Sequence, residues 1–200
     1  MRNSPARVAA ASFLVLLALT GCRTLTPAAT VSAPWDVRRP ALQALPHFAV
    51  KGRVAVATGA TGFNANLRWT QDADSAHLTL EGPLGVGGVQ VNSSGDALEV
   101  INSHGEHIGN DLARAELHSR LGFDVPLASL RYWILGVPRP GSPAEESLNG
   151  EQQRLDGLTQ DGWHVTYGAY VDAHGQTLPA RLTLEREAVR VRLVVDDWQL

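Results

Sequence analysis

Apolar and polar side chains alternate along most of the chain after residue 47. The cleanest run is Phe63, Ala65, Leu67 and Trp69, which alternate with polar residues as far as Thr70. Strict alternation is typical of strands with one apolar and one polar face, as in antiparallel sheets. The same pattern predicts strands over residues 48–56, 63–70, 77–81, 86–92, 97–101, 152–158, 163–170, 178–186 and 189–198, with turns at 71–74, 93–96 and 161–162.

Two segments in the middle of the chain have helical spacing instead. The first is predicted to be capped by Asp111 and ended by Gly122. Its apolar stripe is expected to be Leu112, Ala115, Leu117 and Leu121. The second is predicted to open at Pro126 and end at Gly136. Its apolar stripe is expected to be Leu127, Leu130, Trp133 and Ile134.

Together these elements predict a β-meander with helices inserted in its middle. A sheet with one apolar face needs a cover on that face, and the two helices can supply it. Residues 138–150 are rich in Pro and Gly and are predicted to be a loop. Periodicity fits a closed, filled barrel equally well, so a packed interior and a hollow one both stay open.

The first residues have the pattern of an export signal. Arg2 and Arg7 precede an apolar run over residues 8–19, and Thr20 and Gly21 provide small side chains at a cut site. The run is shorter than the about 20 apolar residues that a membrane span needs. Residues 1–21 are therefore predicted to be a signal peptide. Cys22, the only cysteine of the chain, is predicted to carry a lipid, as in the bacterial lipobox.

The part that follows the cysteine is predicted to be a tether over residues 22–46. It is rich in Thr, Ala and Pro and cannot bury enough apolar surface to fold alone. Fully extended, it could reach about 80 Å from the membrane. Residues 35–45 are alternatively expected to be helical and docked. Residues 47–200 form the single predicted domain.

Composition narrows the possible functions. The net charge is −3, and removal of the signal takes away two arginines, so the mature chain is mildly acidic. A mildly acidic chain without a basic run gives no support to nucleic-acid binding. Because there is one cysteine, no disulfide can form within the chain. The fold is therefore expected to depend on packing alone.

Candidate chemistry is sparse along the chain. His104 and His107 are three residues apart, but no second ligand cluster follows, so no metal site is predicted. Ser, His and Asp occur without a nucleophile signature, so no catalytic residue and no cofactor are predicted. Arg131, which lies between apolar neighbours, is expected to snorkel or cap rather than bind an anion.

Several short motifs are more specific than the periodicity. The strongest is residues 130–138, Leu-Arg-Tyr-Trp-Ile-Leu-Gly-Val-Pro. Gly82-Pro83-Leu84-Gly85 precedes it, and Tyr167-Gly168-Ala169-Tyr170, Leu178-Pro179-Ala180 and Asp197-Trp198 follow. With the lipobox, these motifs resemble the LolB family from about residue 48 to residue 198.

The resemblance implies a fold and a function. The implied fold is mainly β (α+β), a half-open antiparallel β-barrel of about 11 strands with helices lidding a hydrophobic cavity. The implied function is that of a receptor anchored by lipid to the periplasmic face of the outer membrane. Such a receptor accepts acylated lipoproteins from a LolA-like periplasmic carrier and inserts them into that membrane. It needs no catalysis, and we expect a monomer.

The resemblance also implies a membrane-insertion loop. Residues 82–85, Gly82, Pro83, Leu84 and Gly85, suit a type I turn that carries Leu84 at its tip. In the family, a protruding leucine of this loop is linked to the release of cargo into the membrane. A leucine that folds back onto the core is the ordinary alternative.

The wall of the implied cavity can be assigned only as a set. Ordinary core packing is the alternative for every member of that set. The candidates are Phe48, Phe63, Leu67, Trp69, Leu78, Leu80, Leu130, Trp133, Ile134, Val165, Leu182 and Leu193.

Two other functions remain open from the sequence. One is a structural or assembly lipoprotein with a solid β-domain that binds a protein partner. The other is a membrane-tethered hydrolase, for which the expected motifs are absent. Binding of a fluorescent apolar probe would favour a cavity over a solid domain.

Overall fold

A computed structural model describes residues 33–82, 88–150 and 153–200 of the chain. These residues belong to one compact unit, Ser32–Leu200. None of its described helices has the length and the apolar character that crossing a membrane requires. The elements in chain order are α1 (Trp35–Gln43), β1 (His47–Thr58), β2 (Thr61–Asp72), β3 (Ser75–Glu81), β4 (Val89–Ser94), β5 (Ala97–Ile101), β6 (His107–Gly109), α2 (Asn110–Leu121), α3 (Leu127–Trp133), β7 (Ala144–Leu148), β8 (Leu155–Gln160), β9 (Trp163–Ala173), β10 (Gln176–Arg186) and β11 (Val189–Gln199).

The strands form one antiparallel sheet of 11 strands, in the order β6-β5-β4-β3-β2-β1-β11-β10-β9-β8-β7. The first and last strands, β1 and β11, lie side by side in its centre. The two edge strands, β6 and β7, do not pair with each other, so the sheet stays open. The predicted fold class, a mainly β half-open antiparallel barrel with helices, is confirmed.

A bulge marks the centre of the sheet, where β1 meets β11. The register shifts between Lys51 and Gly52. A Cβ atom on Gly52 would lie 2.3 Å from the carbonyl oxygen of Val194, so only glycine fits there. Bulges of this kind increase the local twist of a strand, which bends the sheet.

The predicted alternation is confirmed along β2, where Ala65, Leu67 and Trp69 are buried and the residues between them are exposed. These side chains join a single hydrophobic cluster on the inner face of the sheet. That cluster also includes Trp133 of α3 and Leu117 of α2. The helices therefore cover the apolar face, as the sequence predicts.

The start of α3 agrees with the prediction, since Pro126 is its N-cap, but the helix ends at Trp133, before the predicted stop at Gly136. The start of α2 needs a correction as well. Gly122 ends α2 in the left-handed conformation, at φ 79°, as expected. The N-cap, however, is Gly109 rather than Asp111, which lies in the first turn. The buried residues of α2 are Ala113 and Leu117, whereas Leu112 is 72% exposed. The predicted stripe was right at Leu117 and Leu121 and wrong at Leu112 and Ala115, which are exposed. Ala113, which is fully buried, takes their place because it lies one helical turn before Leu117.

The predicted loop over residues 138–150 was also wrong in part, since Ala144–Leu148 form β7. This strand pairs with β8 as the sheet edge. Its sequence carries Glu145 and Glu146 and shows no apolar alternation, so tertiary pairing decides its conformation. The short strand β6 was likewise not predicted.

Helix α1 lies within the stretch predicted to be a tether. The helical option for residues 35–45 is therefore the one that the structure has. The indole nitrogen of Trp35 donates to Glu146 at 3.0 Å, and Arg39 pairs with the same carboxylate at 3.1 Å. The side chain of Gln43 donates to the carbonyl oxygen of Pro138 at 2.8 Å. These contacts dock α1 against edge strand β7 and the segment before it.

Candidate functional site

Large side chains fill the inner face of β8–β10, which we call the filled half of the sheet. Trp163, Val165 and Tyr167 of β9 are at most 4% exposed, and Trp133 of α3 is fully buried. Burial raises the pKa of Tyr167 well above its ordinary value, so its hydroxyl stays protonated. That hydroxyl donates to the carbonyl oxygen of Trp133 at 3.0 Å. Helix α3 therefore rests on a solid layer in this half.

The inner face of β2–β5 carries smaller side chains near the hairpin turns at 73–74 and 95–96, and we call it the open half. These turns are shorter than the predicted ones at 71–74 and 93–96, because the first two residues of each predicted turn belong to a strand. Strand register aligns Gln71, Ala76, Ser93 and Leu98 as one row across four strands. Ala76 and Ser93, in the centre of this row, are only half-buried. Because these two side chains are short, they leave space between the sheet and the helices.

That space is a cleft of about 720 Å³. One wall is the row that contains Ala76 and Ser93, and the other comes from α2, α3 and the segment between them. Ligand sites for small molecules typically have volumes of about 300–1,000 Å³. Apolar side chains on the wall are Leu98, Leu117, Val125, Leu127 and Tyr132. The cleft therefore has the volume of a ligand site, with apolar side chains on part of its wall and charged side chains on the rest.

Charged residues surround the mouth of the cleft and attach the helices to the sheet. Arg114 of α2 donates to the carbonyl oxygen of Asp96 at 3.0 Å. Arg131 of α3 donates to Asp74 at 3.1 Å. Both acceptors lie in hairpin turns of the open half. The Asp74 side chain is 87% exposed, and such surface ion pairs contribute at most about 1 kcal/mol.

A denser network attaches α3 to the filled half. Asp161, in the β8–β9 turn, accepts hydrogen bonds from Ser129 of α3 and from Ser142, each at 2.6 Å. Arg139 donates to both of its carboxylate oxygens at 3.3 Å. Burial opposes the charge of Asp161, but these donors outweigh it and hold the pKa of the carboxyl below its ordinary value.

The backbone of this turn explains how Asp161 reaches its donors. Asp161 and Gly162 have φ values of 53° and 76°, which is the geometry of a two-residue hairpin turn. The turn predicted at 161–162 is thereby confirmed. The preceding Gln160 is 2% exposed, and its amide oxygen accepts from the indole of Trp133 at 2.9 Å. The Gln160 amide nitrogen donates to the carbonyl oxygens of Arg139 and Ser142, which fixes the segment after α3.

The predicted cavity-wall residues lie elsewhere in the domain, and none of them lines this cleft. Phe63, Leu80 and Leu130 are half-buried against the core. Their assignment as a cavity wall stays a prediction. The rest are buried core residues: Phe48, Leu67, Trp69, Leu78, Trp133, Ile134, Val165, Leu182 and Leu193.

The predicted lipidation site and most of the predicted insertion loop lie outside the part of the chain that the structure describes. Cys22 lies outside the described residues, as do Pro83, Leu84 and Gly85. Gly82 follows β3 and is half-buried. The loop therefore joins β3 to β4, and its role stays a prediction.

Sequence reasoning missed the residues that create the cleft. Ala76 follows one predicted turn and Ser93 was assigned to another, whereas both lie on strands at inward positions where the neighbouring row carries Leu78 and Val91. Two short side chains facing each other across a hairpin were the available signal.

Among the described residues, no group of three His, Cys, Asp or Glu could hold a metal ion.

Comparisons with known proteins give consistent results. The family model described as "Outer membrane lipoprotein LolB" matches residues 46–198. The chain is 35% identical over 188 residues to outer-membrane lipoprotein LolB of Nitrosococcus oceani, covering 92% of this chain and 94% of the relative. It is 33% identical over 194 residues to outer-membrane lipoprotein LolB of Pseudomonas syringae, covering 94% of this chain and 93% of the relative.

Solved structures show the same fold at low sequence identity. A LolA superfamily protein from Nitrosomonas europaea superposes with a TM-score of 0.55 at 12% identity, covering 84% of this chain and 94% of that chain. A DUF1329 family protein from Desulfovibrio piger superposes with a TM-score of 0.56 at 7% identity, covering 82% and 90%. At these identities the similarity concerns the fold alone.

Proposed function

Because the chain belongs to the LolB family of outer membrane lipoproteins, we propose that it accepts acylated lipoproteins from a LolA-like periplasmic carrier and inserts them into the outer membrane. The cleft between the open half of the sheet and helices α2 and α3 holds the acyl chain during this transfer. The observation that supports the proposal is this cleft of about 720 Å³, part of whose wall is apolar.

The free energy of exposing an acyl chain explains why such a receptor is needed. Each CH₂ group removed from water contributes roughly 0.8 kcal/mol, so a chain of about 16 carbons contributes on the order of 12 kcal/mol. A lipoprotein therefore does not cross an aqueous compartment unshielded. A receptor can accept the chain from a carrier by offering a second apolar site. No covalent bond changes, so the transfer requires no catalytic group.

Two parts of the proposal concern residues outside the described part of the chain. The lipid on Cys22 keeps the domain at the outer membrane, which is the location that family membership supports. Leu84, which the sequence predicts at the tip of its turn, contacts lipid when cargo leaves the cleft. We expect Leu84→Glu to receive a labelled lipoprotein from the carrier and to fail to deliver it to vesicles. Normal delivery by this variant would end the proposed role of the loop.

The cleft itself is tested by filling it. Ala76→Phe places a ring in the open half, whereas His77→Phe, one residue further along β3, places the same ring on the exposed outer face. Both are made in the mature chain carrying Cys22→Ser, which removes the predicted lipid. A fluorescent apolar probe should bind His77→Phe as it binds the parent and should bind Ala76→Phe at least tenfold more weakly. Equal binding by the two variants would refute the cleft as the acyl site.

One observation favours a second function, a structural lipoprotein that binds a protein partner. Most predicted cavity-wall residues are buried in a continuous core, as a solid domain requires. If the parent chain binds no apolar probe while its folding is intact, this second function becomes the better one.

A further inference from the structure

Arg131 occupies an unusual position at the wall of the cleft. It lies on α3, and its side chain is only 15% exposed. Its guanidinium lies 5.3 Å from the centre of the Tyr132 ring. The one acceptor that it has among the described residues is the carboxylate of Asp74, through Nη1. The cation is therefore held at the cleft by one ion pair and one aromatic ring.

The Nε atom of Arg131 is buried and has no acceptor in the part of the chain that the structure describes. A guanidinium has five N–H donors, and a buried donor without an acceptor costs free energy. Such groups are rare in folded proteins and call for an explanation. The described residues thus include a buried donor for which they supply no oxygen.

The other arginines at the cleft differ from Arg131 in this respect. Arg114 donates to Asp111 and to the carbonyl oxygen of Asp96, and its side chain is 53% exposed. Arg139 donates to both oxygens of Asp161. Asp74 is a weak partner for Arg131, since water can replace the guanidinium around a carboxylate that is 87% exposed.

We propose that Arg131 binds the ester carbonyl of an acylglycerol head and exchanges Asp74 for this oxygen when an acyl chain occupies the cleft. This inference rests on the proposed function, because the cleft must first accept the chain. The apolar wall formed by Leu98 and Leu117 takes the hydrocarbon, and the carbonyl reaches the guanidinium on α3. Hydrogen bonds to a charged donor are stronger than those between neutral groups.

The charges around the cleft balance one another. Asp74, Asp96 and Asp124 border the space together with three arginines. The border therefore has no net positive charge that would attract a free fatty acid or a phosphate in preference to an ester. The lipid of a lipoprotein ends in neutral ester and amide carbonyls, which is the chemistry that this site fits.

The experiment compares two lipids that differ in one carbonyl group. 1-Palmitoylglycerol and 1-O-hexadecylglycerol are used to displace a fluorescent apolar probe from the mature chain carrying Cys22→Ser. We expect the ester to bind about tenfold more tightly than the ether, the size that one charge-assisted hydrogen bond can supply. Palmitate is the third competitor and should bind more weakly than the ester.

Three variants assign the preference to Arg131. Arg131→Met should bind both glycerol lipids with the affinity that the parent has for the ether. Asp74→Asn frees the guanidinium, so it should bind the ester several-fold more tightly and leave the ether unchanged. Arg114→Met, the matched control at the same cleft, should keep the preference. If Arg131→Met does not fold, Arg131→Lys takes its place and should lose most of the preference, because lysine lacks the Nε donor.

The outcomes separate this inference from the function on which it rests. Equal affinities for ester and ether in the parent, or a preference that persists in Arg131→Met, would overturn the role of Arg131 and leave the cleft intact. Tighter binding of palmitate than of the ester would indicate an anion site and would also overturn it. If neither glycerol lipid displaces the probe, the proposed acyl site itself fails.

Discussion

The two halves of the sheet share one backbone pattern but carry different side chains on their inner face. In the filled half, Trp163, Tyr167 and Trp133 are at most 4% exposed and belong to one hydrophobic cluster. In the open half, Ala76 and Ser93 occupy equivalent inward positions, and a cleft of about 720 Å³ lies above them. One sheet can thus supply stability on one side and space on the other. Predictions that contrast matched residues of the two halves test this division.

The largest expected effect comes from truncating a leucine in each half. Leu158→Ala in the filled half should lower the free energy of unfolding by about 4 kcal/mol, near the top of the range for such changes. Leu98→Ala at the cleft should lower it by about 2 kcal/mol, because part of its surface already lacks neighbours. Urea unfolding measures both. Equal losses would mean that the open half is packed as tightly as the filled one.

Enlarging a side chain should also cost more stability in the filled half than in the open half. Val165→Leu adds one methylene to a fully buried position and should cost about 2 kcal/mol through overpacking. Ala76→Leu adds three carbons beside the cleft and should change stability by less than about 0.5 kcal/mol. Thermal unfolding of the two variants provides the comparison. A large loss for Ala76→Leu would contradict the presence of free space there.

The two attachments of α3 should differ in strength. Asp161→Asn weakens the acceptor of Ser129, Ser142 and Arg139 and should cost about 1–2 kcal/mol. Asp74→Asn, at the exposed attachment, should cost less than about 0.5 kcal/mol. Denaturant unfolding measures both, with the parent as control. Similar costs would show that the two attachments stabilise the position of α3 equally.

The smallest effect is a pH dependence that belongs to the filled half. The pKa of Asp161 is lowered in the folded state from its ordinary value of 3.8, so its charge stabilises the fold above that value. This contribution is lost as the pH falls through the lower folded pKa. The stability difference between the parent and Asp161→Asn should therefore be constant near neutral pH and shrink below about pH 4. A difference that grows on acidification would contradict the direction of the pKa shift.

Much of the fold could be predicted because alternation determines which face of a strand is buried. The strands at 63–70, 163–170 and 189–198 appear within β2, β9 and β11, and the turn at 161–162 is where a short hairpin needs positive φ values. Strand β7 could not be predicted in this way. Its conformation depends on pairing with β8 and on contacts of Glu146 with α1, which are distant in sequence.

The candidate site was harder to predict than the fold. Periodicity identifies inward positions but does not distinguish those that pack from those that line a space. For this reason the large side chains assigned to the cavity lie mostly in the core, while the cleft is made by Ala76 and Ser93. Arg131 was expected only to snorkel or cap, because its partner Asp74 is 57 residues away in sequence.

The edges of the open sheet have a consequence for crowding on a membrane. Strand β6 is only three residues long, and β7 presents two glutamates and is bonded to α1. Short or charged edge strands of this kind prevent neighbouring molecules from pairing their sheets through backbone hydrogen bonds. Many copies concentrated in the plane of one lipid leaflet can therefore remain separate, each keeping its own groove accessible to cargo.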